Sequence, residues 1–130
     1  MTSDPTPLVI EAGERSPRIL FDPGKGTLQI SGESYPEDAA AFFGPVLRAL
    51  ENQLLQDGPP LLVDLELAYF NSSSAKALMN IFQMLEEAAS QGRDITVNWR
   101  YHPDDDTMEE FGEDFAQDFK HASFRVVPRE

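Results

Sequence analysis

Asn71-Ser72-Ser73-Ser74 sets an amide and three hydroxyls side by side, between an alternating apolar run and a helical pattern. Hydroxyls at such a junction lie at the positive end of a helix, where the first backbone N–H groups have no intrahelical partner. Two kinds of chemistry suit that place. One is capping, in which a Ser or Asn oxygen accepts from an orphan N–H and stabilises the helix by about 1 kcal/mol. The other is phosphate binding, because convergent amide protons and the helix dipole both favour an anion. Capping needs one such side chain, and four in succession exceed that need. Ser72 is the candidate phosphoacceptor. Lys76, one turn further, is the candidate partner of a phosphate.

Other chemistries find less support in the sequence. A hydrolase triad needs a histidine beside its serine. His102 and His121 lie in loop-like or terminal segments far along the chain from Ser72, and nothing in the sequence positions either. Asp64 and Glu66 share one face of a strand, so an acid-dependent hydrolase using them with a serine stands as an alternative; a salt-bridge role near a sheet edge competes with it. Asp104-Asp105-Asp106 lacks the alternate spacing and the glycine of a calcium loop, and reads as an acidic helix start. There is no glycine-rich phosphate loop, no HExxH and no nucleophile elbow. The expectation is a protein with no catalytic residues, no metal and no cofactor.

Composition narrows the partners. Ten basic residues against 23 acidic ones give a formal charge of −13, which repels nucleic acid and anionic membranes. No apolar run approaches the roughly 18 residues that a membrane span requires, and no basic-then-apolar start suggests export. Without cysteine there are no disulfides, thiol nucleophiles or thiolate metal sites, which suits a cytoplasmic protein. At 130 residues and 41% hydrophobic content the chain fits one domain.

The elements that must position the serines follow from periodicity. Residues 1–7 read as a flexible polar arm, and 8–130 as a single domain. Leu8 to Glu11 is a candidate first strand. Arg18–Asp22 and Thr27–Ser31 flank Pro23-Gly24-Lys25-Gly26 and form an antiparallel hairpin. A helical pattern opens at Glu37, with Phe43, Val46, Leu47, Leu50 and Leu54 on one face. Gly44-Pro45 predicts a kink or two helical pieces there, and Asp57-Gly58-Pro59-Pro60 closes the helix. Leu61 to Leu67 alternates as a mid-sheet strand. Ala75 to Ala89 is the second long helix, with Leu78, Phe82, Leu85 and Ala89 facing the core. Ile95 to Tyr101 is a strand, and Met108, Phe111, Phe115 and Phe119 form the apolar stripe of a third helix. Phe124 to Val127 is a last strand. Helix-separated strands imply right-handed crossovers, a partly parallel sheet and helices mainly on one face. This is an α/β, STAS-like layout: a mixed sheet with an N-terminal antiparallel hairpin and three main helices.

Three motifs add a resemblance. Tyr69-Phe70-Asn71-Ser72-Ser73-Ser74-Ala75-Lys76 resembles the segment that usually runs Tyr-Phe-Asn-Thr-Ser-Ser-Ala-Lys in the SiaC family of bacterial regulatory phosphoproteins. Gly32-Glu33-Ser34-Tyr35-Pro36-Glu37 is similar to that family's Gly-x-Ser-Tyr-Pro-Glu element. Asn98-Trp99-Arg100-Tyr101, with Gly112-Glu113-Asp114-Phe115, resembles its C-terminal signature. The match spans about residues 32–124. It implies a non-enzymatic partner-switching protein, similar to anti-sigma-factor antagonists, that is phosphorylated on the hydroxyl after the asparagine. A dedicated protein kinase adds the phosphate and a PP2C-like phosphatase removes it. The unphosphorylated form binds its partner, in the characterised case a diguanylate cyclase that controls c-di-GMP signalling and biofilm formation. The family position maps onto Ser72, a serine where threonine is usual, which keeps the hydroxyl without the methyl. Anti-sigma-factor antagonists proper carry Asp-Ser-Ser-Gly here, so a binding module of that type is the alternative. Asn71, Ser73, Ser74 and Lys76, with the aromatic residues Tyr35, Tyr69 and Phe70, make up the expected partner surface.

Overall fold

The computed structural model describes residues 7–56 and 58–129; the expected arm, apart from Pro7, lies outside them. Six strands form one sheet in chain order: β1 Leu8–Ile10, β2 Arg18–Asp22, β3 Thr27–Ser34, β4 Leu61–Phe70, β5 Ile95–Tyr101 and β6 Ser123–Pro128. The first three pair antiparallel, and β3 to β6 run parallel. Helices α1 Ala39–Leu54, α2 Ser72–Ser90 and α3 Asp106–Ala116 make the three crossovers. The expected mixed sheet, N-terminal antiparallel hairpin and three helices are all present, but the edge beyond the hairpin is taken by β1. No helix among the described residues is long and apolar enough to cross a membrane.

Alternation along the strands explains why the helices share one face. In β4, Leu61, Val63, Leu65 and Leu67 are buried, whereas Leu62 is exposed and Asp64 and Glu66 are half-buried. Consecutive side chains point to opposite sides, so one side is apolar and covered and the other is polar and open. Onto the covered side pack Phe43, Val46 and Leu50 of α1, and Leu78, Ile81, Phe82 and Leu85 of α2.

Three local expectations need correction. Of the two alternatives at Gly44-Pro45, the split into two pieces does not occur: α1 is one helix through Pro45. Its buried residues Phe43, Val46 and Leu50 continue on both sides of the proline, and packing outweighs the missing hydrogen bond. Gly44 helps, because proline clashes with the Cβ of the preceding residue and glycine has none. Helix α2 begins at Ser72, not Ala75, so the serines belong to its first turn and Asn71 alone joins strand to helix. In α3, Phe111 is 40% exposed while Met108 and Gly112 are buried. Gly112 is the residue that lies directly on Trp99, where a Cβ would stand 2.5 Å from Cδ1, while Phe111 touches the sheet only at the end of β4, against Phe70. That close approach turns the inward stripe to Met108, Gly112 and Phe115, with spacings of four and three. Trp99 Nε1 donates to the Met108 carbonyl at 2.9 Å and fixes the contact.

Candidate functional site

Strands β3 and β4 end together. Ser34 lies opposite Phe70 and Glu33 opposite Tyr69, after a register shift between Gly32 and Glu33. Gly32 has φ +110, a conformation that side chains with a Cβ rarely adopt, and it lets the strand re-aim at that point. Two motifs forty residues apart thereby meet: the Gly-Glu-Ser-Tyr-Pro-Glu segment borders the Asn-Ser-Ser-Ser segment. The Asn71 amide donates to the Ser34 carbonyl at 3.0 Å. Below it, the Ser34 and Ser74 hydroxyls share a hydrogen bond of 2.8 Å, and both residues are 0% exposed.

The four polar residues have separate tasks. Asn71 is the N-cap: its Oδ1 accepts from the Ser74 amide at 2.9 Å, and its carbonyl accepts from the Ala75 amide. Ser74 is sealed inside, which removes it from any surface a partner meets. Ser72 and Ser73 are exposed at the first two helical positions. Their amides have no acceptor among the described residues, as helix geometry dictates for those positions. The first turn of α2 carries no Asp or Glu, so no side-chain charge offsets the dipole there. Lys76 is exposed four residues after Ser72, on the same helix face.

The aromatic residues divide in the same way. Tyr69 is 51% exposed and meets the edge of Tyr35 at 5.9 Å between centroids. Tyr35 is half-buried and held by its hydroxyl, which donates to the Glu14 carbonyl at 3.0 Å. Phe70 turns into the core against Trp99, Phe111 and Phe115, so it backs the site and does not line its surface. The surface residues are therefore Tyr35, Tyr69, Asn71, Ser72, Ser73 and Lys76.

The carboxylate pair is employed elsewhere. Asp64 accepts from Asn98 Nδ2 at 3.0 Å and pairs with Arg100 at 3.4 Å; Glu66 lies 3.8 Å from Arg129. Both are ion-paired, but on the central strand and not near an edge. They lie on the open side of the sheet, and Asp64 sits six residues before the end of β4 at Phe70, about 20 Å along the strand from the serines. Nor are the histidines unpositioned. His102 Nδ1 accepts from the Asp104 amide, and the His121 ring lies 3.0 Å from Glu86. The amides of Lys120, His121 and Ala122 all donate to Glu86 as well. Burial would raise the pKa of this carboxyl, but those backbone donors and the His121 ring outweigh it and bring the value down to about 2. A carboxylate holding a loop 34 residues away has no local sequence signal. In the C-terminal signature, the Tyr101 hydroxyl donates to Glu109 at 3.0 Å, and that hydrogen bond, with burial and nearby carboxylates, raises its pKa.

Comparisons with known proteins agree with this arrangement. The model of a family described as SiaC family regulatory phosphoprotein matches residues 10–129. An uncharacterized protein of Pseudomonas aeruginosa strain UCBPP-PA14 is 38% identical over 111 residues, covering 85% of this chain and 88% of that one. Among solved structures, the chain is similar to SiaC of Pseudomonas aeruginosa, with TM-score 0.88, 34% identity and coverage of 95% and 99% of the two chains. It is also similar to a chain in the crystal structure of the diguanylate cyclase SiaD in complex with its activator SiaC, from the same organism. There the TM-score is 0.90 and the identity 35%, over 94% and 99% of the chains.

Proposed function

This chain belongs to the SiaC family of regulatory phosphoproteins, and from that premise we propose that phosphorylation of Ser72 decides which protein docks at the start of α2. The observation that carries the reading is the division among the serines. Ser72 is exposed beside unpartnered amides, whereas Ser74 is buried and bonded to Ser34. A kinase can reach the first and not the second.

Phosphate at Ser72 adds about −1.5 to −2 charge. The helix dipole and the amides of the first turn accept that charge, and Lys76 pairs with it across one turn. The fold therefore keeps both forms. A partner that covers the neutral hydroxyl, with Tyr69, Tyr35, Asn71 and Ser73 around it, meets a desolvated dianion after phosphorylation. A penalty of about 3 kcal/mol lowers affinity more than a hundredfold, enough for a switch.

By likeness to SiaC, which activates SiaD in the solved complex, the partner is a diguanylate cyclase and the unphosphorylated form is the one that binds. A protein kinase and a PP2C-like phosphatase set the phosphate, in the cytoplasm, and residues 8–130 work as one non-enzymatic regulatory domain. In a pull-down against the cyclase, Ser72→Ala is expected to keep binding and Ser72→Asp to lose it. Equal capture by both variants rejects Ser72 as the switch. Intact-mass measurement of protein from its native host then detects the phosphate, and fragment-ion masses place it.

A further inference from the structure

A second surface lies further along α2. A groove of about 330 Å³ runs between α2 and the end of α3, with Phe82, Phe115 and Phe119 along it and Met79 on its rim. Met79 is 45% exposed, an unusual position for a large apolar side chain on a helix whose other apolar residues are mostly inside. The groove centres near Gln83, eleven residues from Ser72 and about 16 Å along the helix. It is separate from the phosphoacceptor.

Its borders are acidic. Glu87 and Asp118 line it with exposed side chains, and the stretch from Asp104 to Asp118 carries eight carboxylates and no lysine or arginine. Glu86 is already committed to the loop amides and His121. The basic groups nearby are His121, which lines the groove, Lys120 beside it, and Lys76, one turn before Met79. An aromatic floor with acidic walls matches one kind of occupant, an apolar stripe flanked by cations. We infer that this groove docks a basic amphipathic helix of a protein partner, independently of the state of Ser72.

The test uses the full chain and a fluorescent helical peptide of about 14 residues, leucine at i, i+3, i+4 and i+7 and lysine elsewhere. A peptide with glutamate in place of lysine serves as control. The lysine peptide is expected to bind and the glutamate peptide not. Met79→Asp should weaken lysine-peptide binding about tenfold or more, even though it makes the protein more negative. Non-specific attraction to the acidic surface would instead strengthen, so unchanged or tighter binding by Met79→Asp overturns the inference. The double variant Glu87→Lys with Asp118→Lys should also weaken it, and unchanged affinity there overturns the role of charge. Ser72→Asp should leave peptide affinity within about twofold; a large loss means that groove and switch are one surface and the stated independence is wrong. Failure of the peptide to bind at all likewise overturns the groove, and leaves the Ser72 pull-down standing on its own outcome. Circular dichroism confirms that each surface variant is folded.

Discussion

Helices α2 and α3 start alike and are charged differently. Each follows a parallel strand, and each is capped by an Asx side chain that accepts from the third helical amide, Asn71 from Ser74 and Asp105 from Met108. At α3 the cap is itself acidic, and Asp106 and Glu109 add charge in the first turn. At α2 the cap is neutral and the first turn holds only hydroxyls. One helix carries its dipole-complementing anion permanently; the other has the chemistry to acquire one. The third residue differs too. Met108 is an apolar anchor under Trp99, whereas Ser74 is a polar anchor bonded to Ser34. The chain holds a fixed anion on backbone amides once more, at Glu86, with three loop N–H donors.

That contrast can be broken at its permanent end first. Glu86 has a folded pKa of about 2 against an ordinary 4.5, and its side chain is 20% exposed. A depressed carboxyl contributes stability that is present above its unfolded pKa and fades as pH falls toward its folded one. Glu86→Gln should therefore cost up to about 3 kcal/mol at neutral pH. The gap from wild type should close between pH 5 and pH 2 in denaturant titrations. A constant gap across that window would show that the amides do not favour the charged form. The hydroxyl-bearing start of α2 is tested next. Ser74→Ala leaves the Ser34 hydroxyl buried without its partner and should cost about 2 kcal/mol by thermal or chemical unfolding. A double-mutant cycle with Ser34→Ala should return coupling between the two sites. The smallest effect separates neighbours in the same turn. Asn71→Ala removes the cap and should cost about 1 kcal/mol, with faster hydrogen exchange at the Ser74 amide. Ser72→Ala should stay within about 0.5 kcal/mol of wild type. A larger loss at Ser72 would make it a structural residue and blur the difference between the two helix starts.

Much of this arrangement was legible in the chain. Alternation in Leu61–Leu67 and Ile95–Tyr101 marked central strands, and the spacing of Leu78, Phe82 and Leu85 marked the buried stripe of α2. Periodicity reports which side a residue faces, and burial enforces it. The misses came where tertiary contact overrode local preference. Pro45 sits in a helix because apolar residues on both sides of it reach the sheet. Phe111 is displaced because Trp99 admits only a glycine beside it, at Gly112. At the site, the sequence singled out Ser72 as phosphoacceptor but placed Ser74 on the same surface, whereas Ser74 is buried. That distinction depends on Ser34, forty residues earlier, and on a bulge that brings two strand ends level. Side-chain pairing at that range leaves no mark on periodicity.

The hydroxyl pair under the first turn of α2 has one more consequence. Because Ser74 is moored to β3 in the interior, this end of the helix cannot swing outward without giving up a sheltered hydrogen bond. Under the proposed switch, a modifying enzyme would find its target on a stationary platform, and the modified protein would keep its contour. The signal would then be stored as electric potential and not as a change of shape, so any reader of it would have to sense charge.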